Sequence, residues 1–416
     1  MLIQFSFNNY KSFKDNAVLD LSAAKITEYS ERVVKIGNEK ILPVAAIYGA
    51  NASGKSNVYS AFAFMSNYVI QSFKYGDEEQ EYDDIRPQPF LFDSTSNKHD
   101  SSFEVHFTIP WDKTEKIYNY GFSLGPEGVT EEWFNSKAKT SKEYRNIFYR
   151  DKNGIDFPGL SNRSKDNIEI ALEKQVLIAS LGSKLRIEKC KMIRDWFLLN
   201  EFTDFGDVAY NFFVSRLLPE GFVTDQKERE QVIKYLSSFD KQICGFEVNK
   251  IPSEDDKDDR YTIDSLHKMI DSNDLAKIPF GNESAGTLKM FTLYPDLKEV
   301  LSKGGVYFVD ELNARLHPLL VRNIVLTFLN PEINTNHAQL IFTTHDTWLL
   351  SSRLMRRDEI WFTDKNDNGV TTLYSLSDFV DNEGDRIRKD ENYEKNYLLG
   401  KYGAIPSLES LSFLMG

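Results

Sequence analysis

The chain has 416 residues, 41% apolar and 13% aromatic, enough to bury a large core spread over roughly two or three folding units. Its formal charge of −13 speaks against coating nucleic acid by global charge, because counterion release needs clustered Lys and Arg. No run approaches about 18 consecutive apolar residues, and the N-terminus MLIQFSFNNYKSF alternates where a signal peptide would be unbroken, so a cytoplasmic location with no membrane anchor is expected.

The opening LIQFSFNNYKSFKDNAVLDLS alternates in period two around Leu2, Phe5 and Phe7 and again around Val18, Leu19 and Leu21, which predicts two strands joined by a polar turn. Residues 42–48 (LPVAAIY) form one short buried strand that stops at Gly49. Residues 57–73 place Val58, Ala61, Phe62, Met65, Tyr68 and Val69 on one face at helical spacing. The acidic runs 77–84 and 254–259 read as solvated loops.

Between residues 85 and 150 the alternation of FEVHFTI and IYNYGF, with the turn GPEG at 125–128, predicts an antiparallel sheet. Residues 165–245 turn helical, for instance at 168–180 and 190–199. Later, 306–309 and 339–344 are buried-strand runs with a helical stretch, 317–329, between them, the order of a parallel sheet. The fold class expected is α/β with a mixed or parallel core sheet, divided into residues 1–160 (glycine loop and antiparallel lobe), 161–275 (an inserted, mainly helical lobe) and 276–416 (the remainder of the core). There is no sustained heptad pattern, repeat or low-complexity segment.

Gly49-Ala50-Asn51-Ala52-Ser53-Gly54-Lys55-Ser56 satisfies GxxxxGK[ST] between a predicted strand and a predicted helix, with Asn57 opening that helix. The glycines let backbone N–H groups converge on phosphate oxygens, the helix presents its positive end, Lys55 offers a point charge and the Ser56 hydroxyl can ligate Mg²⁺. Phosphoryl chemistry then needs carboxylates at the end of a neighbouring buried strand. Asp310 and Glu311, after Val306–Val309, are placed to hold the metal and to act as general base. The two cysteines, Cys190 and Cys244, and the six scattered histidines form no zinc-like pattern, so any metal should arrive with a nucleotide.

With these motifs the chain resembles the ATP-binding-cassette type heads of SMC, RecF and overcoming-lysogenisation-defect proteins. More closely it resembles the AAA-annotated ATPases of abortive-infection, Septu and related phage-defence operons. The resemblance runs through FNNYKSFKD, GANASGKS, Pro89-Phe90, FEVHF, Glu283-Ser284-Ala285-Gly286-Thr287, VDEL with Leu316-His317-Pro318, TTHD and YLLGKYGAIP. It implies a P-loop NTPase fold with an ABC-ATPase-like head, and the cofactors ATP and Mg²⁺.

By the same resemblance, Glu283, Ser284 and Gly286 are the signature that meets the γ-phosphate of ATP held by a second copy, so catalysis implies a dimer. Taken alone, ESAGT fits a helix N-cap equally well. His345 resembles the switch histidine, and residues 313–317 resemble a loop crossing the dimer interface, although His317-Pro318 also suits a helix start. Lys11 resembles a phosphate-approaching residue, and Gln88 the metal-coupling glutamine. Ala285 stands where the usual signature has its first glycine.

The chain ends soon after YLLGKYGAIP, leaving no room for a nuclease domain of the overcoming-lysogenisation-defect type. The expected function is therefore an ATPase that dimerises around ATP and controls a separately encoded nuclease or toxin in anti-phage defence. Two alternatives are a RecF-like repair ATPase, using Lys137, Lys139, Lys142, Arg145, Arg150 and Lys152 or Lys184, Arg186, Lys189, Lys191 and Arg194 on nucleic acid, and a scaffold with little turnover.

Overall fold

The computed structural model describes residues 1–75, 85–112, 114, 116–214, 217–251, 260–380 and 386–406. The acidic runs at 77–84 and 254–259 lie outside the described residues. Two compact units are present. The first comprises Met1–Thr203, Val300–Glu311 and Val325–Gly416, and the second Asp204–Glu299 and Leu312–Ile324.

Two sheets build the first unit. A six-stranded sheet runs in the order Glu201–Asp204, Val306–Asp310, Gln339–Thr343, Val44–Tyr48, Ile360–Lys365, Thr371–Ser375. Val306–Asp310, Gln339–Thr343, Val44–Tyr48 and Ile360–Lys365 pair in parallel, and Thr371–Ser375 closes one edge antiparallel. The first three of these strands are buried at every residue, as continuous apolar runs in a parallel sheet should be.

The other sheet is antiparallel, in the order Gly154–Asp156, Arg145–Asp151, Gly128–Lys137, Ile117–Gly125, Ser101–Thr108, Leu2–Asn8, Ala17–Asp20. Leu2–Asn8 alternates buried and half-buried, so the sequence periodicity is realised directly. Buried Gln339 stitches the sheets together: its Oε1 accepts the Leu2 amide at 2.6 Å, while Nε2 donates to the Leu2 and Leu42 carbonyls at 2.9 and 3.0 Å.

The helix Lys55–Gln71 packs against both sheets. Phe62 meets Phe5 at 5.0 Å and Phe308 at 6.2 Å between ring centroids, and Tyr68 stacks on Phe122 at 5.5 Å. Burying each such aromatic or aliphatic side chain contributes about 1.5–3 kcal/mol. The closing YLLGKYGAIP covers the strand Ile360–Lys365: Tyr397 stacks on Phe362 at 5.5 Å and Tyr374 Oη donates to the Tyr402 carbonyl at 2.6 Å.

The helix predicted over 168–180 is instead two helices, Asn162–Ala171 and Ile178–Lys184. Buried Glu132 accounts for the break. It accepts the Ile178 and Ala179 amides at 2.6 and 2.9 Å, seeding a new helix with a long-range cap that periodicity cannot reveal.

The second unit contains the helices Val208–Val214 and Gln226–Ser237 and an antiparallel meander, Ile243–Ile251, Arg260–Lys268 and Leu275–Pro279. The span 161–275 thus carries strands as well as helices. Phe222, Phe246, Phe280 and Phe291 form this unit's aromatic centre, with Phe280 and Phe291 4.6 Å apart. Among the described residues no helix is long and apolar enough to cross a membrane.

Candidate active site

The glycine loop leaves the C-terminal end of Val44–Tyr48, and its glycines are there for want of space. A Cβ on Gly49 would lie 2.5 Å from Ser53 Oγ and from the Thr363 carbonyl. One on Gly54, at φ 107°, would lie 2.8 Å from Thr371. Gly54 opens the helix at Lys55 without a side-chain cap, leaving the helix start to external acceptors. Asn51 and Ala52 are exposed at the loop's tip, where Ala52 takes φ 62°.

Lys55 is 4% exposed, and its Nζ donates to the Gly49 and Ala50 carbonyls at 2.9 and 3.0 Å. Burial lowers its pKa from the usual lysine value, while Glu311 and Asp310 act in the opposite sense. The ammonium therefore feels both carboxylates named from the sequence. Ser56 is exposed at the helix start.

Two predicted loop residues turn their side chains into the protein. Ser53 Oγ lies 2.7 Å from Thr363 Oγ1, and Asn57 Nδ2 donates to Ser12 Oγ at 2.7 Å. Thr371 completes the buttress, its hydroxyl donating to the Ser53 carbonyl at 2.9 Å and lying 2.8 Å from Ser12 Oγ, which can donate to it in turn. Ser12, Thr363 and Thr371 escaped the sequence reading, because the adjacency of their strands to the loop is a matter of topology.

Asp310, 2% exposed, accepts the Thr343 hydroxyl at 2.5 Å. The same hydroxyl oxygen accepts the Glu311 amide at 2.9 Å. Glu311 takes φ 53°, a left-handed conformation unusual for a side chain of its size. His345 Nε2 lies 3.0 Å from Glu311 Oε1. Thr343 also escaped the sequence reading, and the nearest signal was its place in the TTHD run.

Lys11, at φ 51°, donates from Nζ to Ser60 Oγ on the loop's helix at 2.9 Å. Its amide donates to the carbonyl of exposed Gln88 at 2.8 Å, so the two residues named as phosphate and metal contacts share one backbone bond.

The signature segment belongs to the second unit. Ser284 Oγ accepts the Thr287 amide at 3.1 Å and so caps the helix Ala285–Lys303. Ser284 and Ala285 are exposed and Gly286 half-buried, whereas the Glu283 carboxylate is turned inward to Ser265 Oγ and, at 2.7 Å, to His267 Nε2. Lys289, one turn on, donates to the Leu312 and Ala314 carbonyls at 2.9 and 2.6 Å and fixes the start of the 313–317 loop. Nδ1 of His317 accepts the Leu319 amide at 3.2 Å, so it does start the next helix.

Part of the first basic cluster is engaged inside the fold. Lys137 pairs with Glu39 at 3.0 Å, Arg150 donates to the Val176 carbonyl at 2.7 Å, and Phe148 is fully buried. Lys142, Arg145, Lys152, Lys184, Arg186, Lys189 and Lys191 are exposed.

A glycine loop between a buried parallel strand and a helix, with carboxylates at the end of the strand Val306–Asp310 of the same sheet, defines a P-loop NTPase. Residues 44–351 match the family described as "AAA domain, putative AbiEii toxin, Type IV TA system", and the chain belongs to that family. No curated protein matches it. Solved structures similar to it include an SMC head bound to the C-winged helix domain of ScpA, at 14% identity over 90% of this chain and 97% of that one, with a TM-score of 0.43. The SMC head domain from Thermotoga maritima has 14% identity, covering 90% and 98%, with a TM-score of 0.40.

Proposed function

We propose that the protein binds ATP with Mg²⁺ and hydrolyses it, in a site completed by the signature of a second copy. The observation that carries this reading is the convergence of buried Lys55, Asp310 and the Glu311–His345 pair at the glycine loop. The residues fit the nucleotide: the loop has no room for side chains at Gly49 and Gly54, the helix start is uncapped, and an ammonium stands at its mouth.

In this reading Lys55 exchanges loop carbonyls for phosphate oxygens, and Ser56 with Asp310 holds the metal. Bound Mg²⁺ would supply charge neutralisation across the terminal phosphates. Glu311 takes the proton of the attacking water, and His345 orients that carboxylate. Ser284 caps its helix through its oxygen and lies 2.9 Å from Thr287 Oγ1; with the Thr287 hydroxyl as donor in that contact, the Ser284 hydrogen is left to offer the γ-phosphate of the partner's nucleotide.

The cellular role we propose is regulation, in the cytoplasm, of a separately encoded nuclease or toxin in anti-phage defence. The family's description, with its toxin–antitoxin setting, supports this context. The test combines two measurements. Lys55→Ala should abolish binding of a fluorescent ATP analogue, and Glu311→Gln should bind it but release phosphate about 10²–10⁴-fold more slowly. Co-expression with the products of neighbouring genes should yield a complex whose effector activity changes with Glu311→Gln. An unaltered effector, or metal-dependent nuclease activity of the pure chain, would overturn the regulatory role.

A further inference from the structure

Thr343 has no exposed surface, and its one hydroxyl serves both carboxylate residues of the site. A hydroxyl has one hydrogen to give and lone pairs to receive. The hydrogen goes to Asp310 Oδ1 at 2.5 Å, and a lone pair receives the Glu311 amide at 2.9 Å. The parallel register that pairs Val309 with Phe342 sets Asp310 beside Thr343, so the contact is built into the strand pairing.

Glu311 is also held at φ 53°, a conformation that a non-glycine residue keeps only when its surroundings over-determine it. The bond from its amide to Thr343 is one such constraint, and the contact from its carboxylate to His345 is another. An alkyl side chain in place of Thr343 would remove a donor from a buried carboxylate and an acceptor from the Glu311 amide together.

We infer that Thr343 is a positioning residue that fixes Asp310 for the metal and Glu311 for the attacking water through a single bridging hydroxyl. The inference rests on the ATPase reading above and goes beyond it by assigning both carboxylates one common support. Thr343 itself touches neither nucleotide nor water in this scheme.

The test uses the full chain with Thr343→Val and Thr343→Ser, reading affinity for a fluorescent ATP analogue in EDTA, the Mg²⁺ concentration that half-saturates its tighter binding, and phosphate release. Thr343→Val should leave metal-free affinity within about 2-fold, while shifting the Mg²⁺ midpoint upward and lowering kcat, each by about 10–100-fold, the usual range for groups behind a metal ligand. Thr343→Ser should restore both to within about 3-fold, since the hydroxyl alone is required. If the valine variant does not fold, Thr343→Cys against Thr343→Ser makes the same comparison, with the thiol as the impaired member. A valine or cysteine variant with wild-type midpoint and kcat, a serine variant that fails to restore them, or an equal loss of metal-free affinity would overturn the inference. Lys55→Ala separates the two failures: unchanged nucleotide affinity there sinks the ATPase reading, whereas loss there with a silent Thr343→Val sinks only this one.

Discussion

His345 Nε2 stands 3.0 Å from Glu311 Oε1, across the C-terminal ends of two neighbouring parallel strands. The Glu311 side chain is 21% exposed and that of His345 38%, so the pair faces solvent at the edge where the glycine loop begins. The Glu311 carboxylate is thereby in contact with a group that follows a different strand.

If Glu311 is the general base, Glu311→Gln keeps the shape and the backbone bond to Thr343 but loses the proton acceptor. Phosphate release should fall by about 10²–10⁴-fold, the usual contribution of general-base catalysis, with nucleotide affinity preserved. His345→Ala, which removes only the orienting partner, should lower it less. A Glu311→Gln variant with unchanged turnover would show that the base lies elsewhere.

The glycine loop was legible because its chemistry is local: Gly49, Gly54, Lys55 and Ser56 announce themselves within eight residues. Asp310 and Glu311 were legible because a buried strand ending in two carboxylates has few other uses. Thr363, Thr371 and Ser12 were not, since their contacts join strands across more than 300 residues of chain, and Thr343 was not, since it meets Asp310, 33 residues away, only through strand register. Glu283 illustrates the converse limit. Its place in ESAGT suggested a nucleotide contact, whereas its carboxylate meets Ser265 and His267 from a strand that the sequence reading had assigned to a mainly helical lobe.

Gly49→Ala should destabilise the protein even though the change adds only a methyl group. Its Cβ would press to 2.5 Å on the Thr363 carbonyl, a backbone atom that cannot swing aside. Overpacking of this kind costs about 1–3 kcal/mol. Thermal melting should show the loss, and the nucleotide-induced rise in Tm should shrink with it. A melting temperature equal to the wild type's would mean that the loop relaxes freely.

Glu359 contributes stability that falls as pH rises through neutrality, against the opposite slope of the buried Met1 ammonium, whose pKa burial lowers from 8.0 to about 5. The Glu359 carboxyl is fully buried beside Arg356 and Asp358, and desolvation pushes its pKa from the ordinary 4.5 up to about 8. Between those two values the folded chain holds a proton that the unfolded chain has released, so the stabilisation is complete below about pH 4.5 and is lost progressively towards pH 8. At about 1.36 kcal/mol per pH unit the loss amounts to at most about 5 kcal/mol. The Tm of Glu359→Gln minus that of the wild type should therefore climb steadily from pH 5 to pH 8, the variant melting above the wild type at the alkaline end, while the Met1 contribution is common to both proteins. Parallel pH curves for the two proteins would refute the assignment.

The composite site makes the most demanding prediction, because it requires two defective proteins to repair each other. Lys55→Ala destroys the glycine loop's charge but leaves the signature intact. Ser284→Asp leaves the loop intact and retains a good N-cap for the helix Ala285–Lys303, while placing a negative charge where a γ-phosphate would approach. Each homodimer should be inactive. In a mixed dimer, the loop of the Ser284→Asp copy faces the wild-type signature of the Lys55→Ala copy, so one of its two sites is whole. Equal mixing with free exchange makes half of the dimers mixed, and phosphate release should recover to about a quarter of the wild-type level. Recovery that rises with total protein concentration would mark assembly as the limiting step. If mixing restores nothing while each variant still folds and dimerises, Ser284 does not act across the dimer.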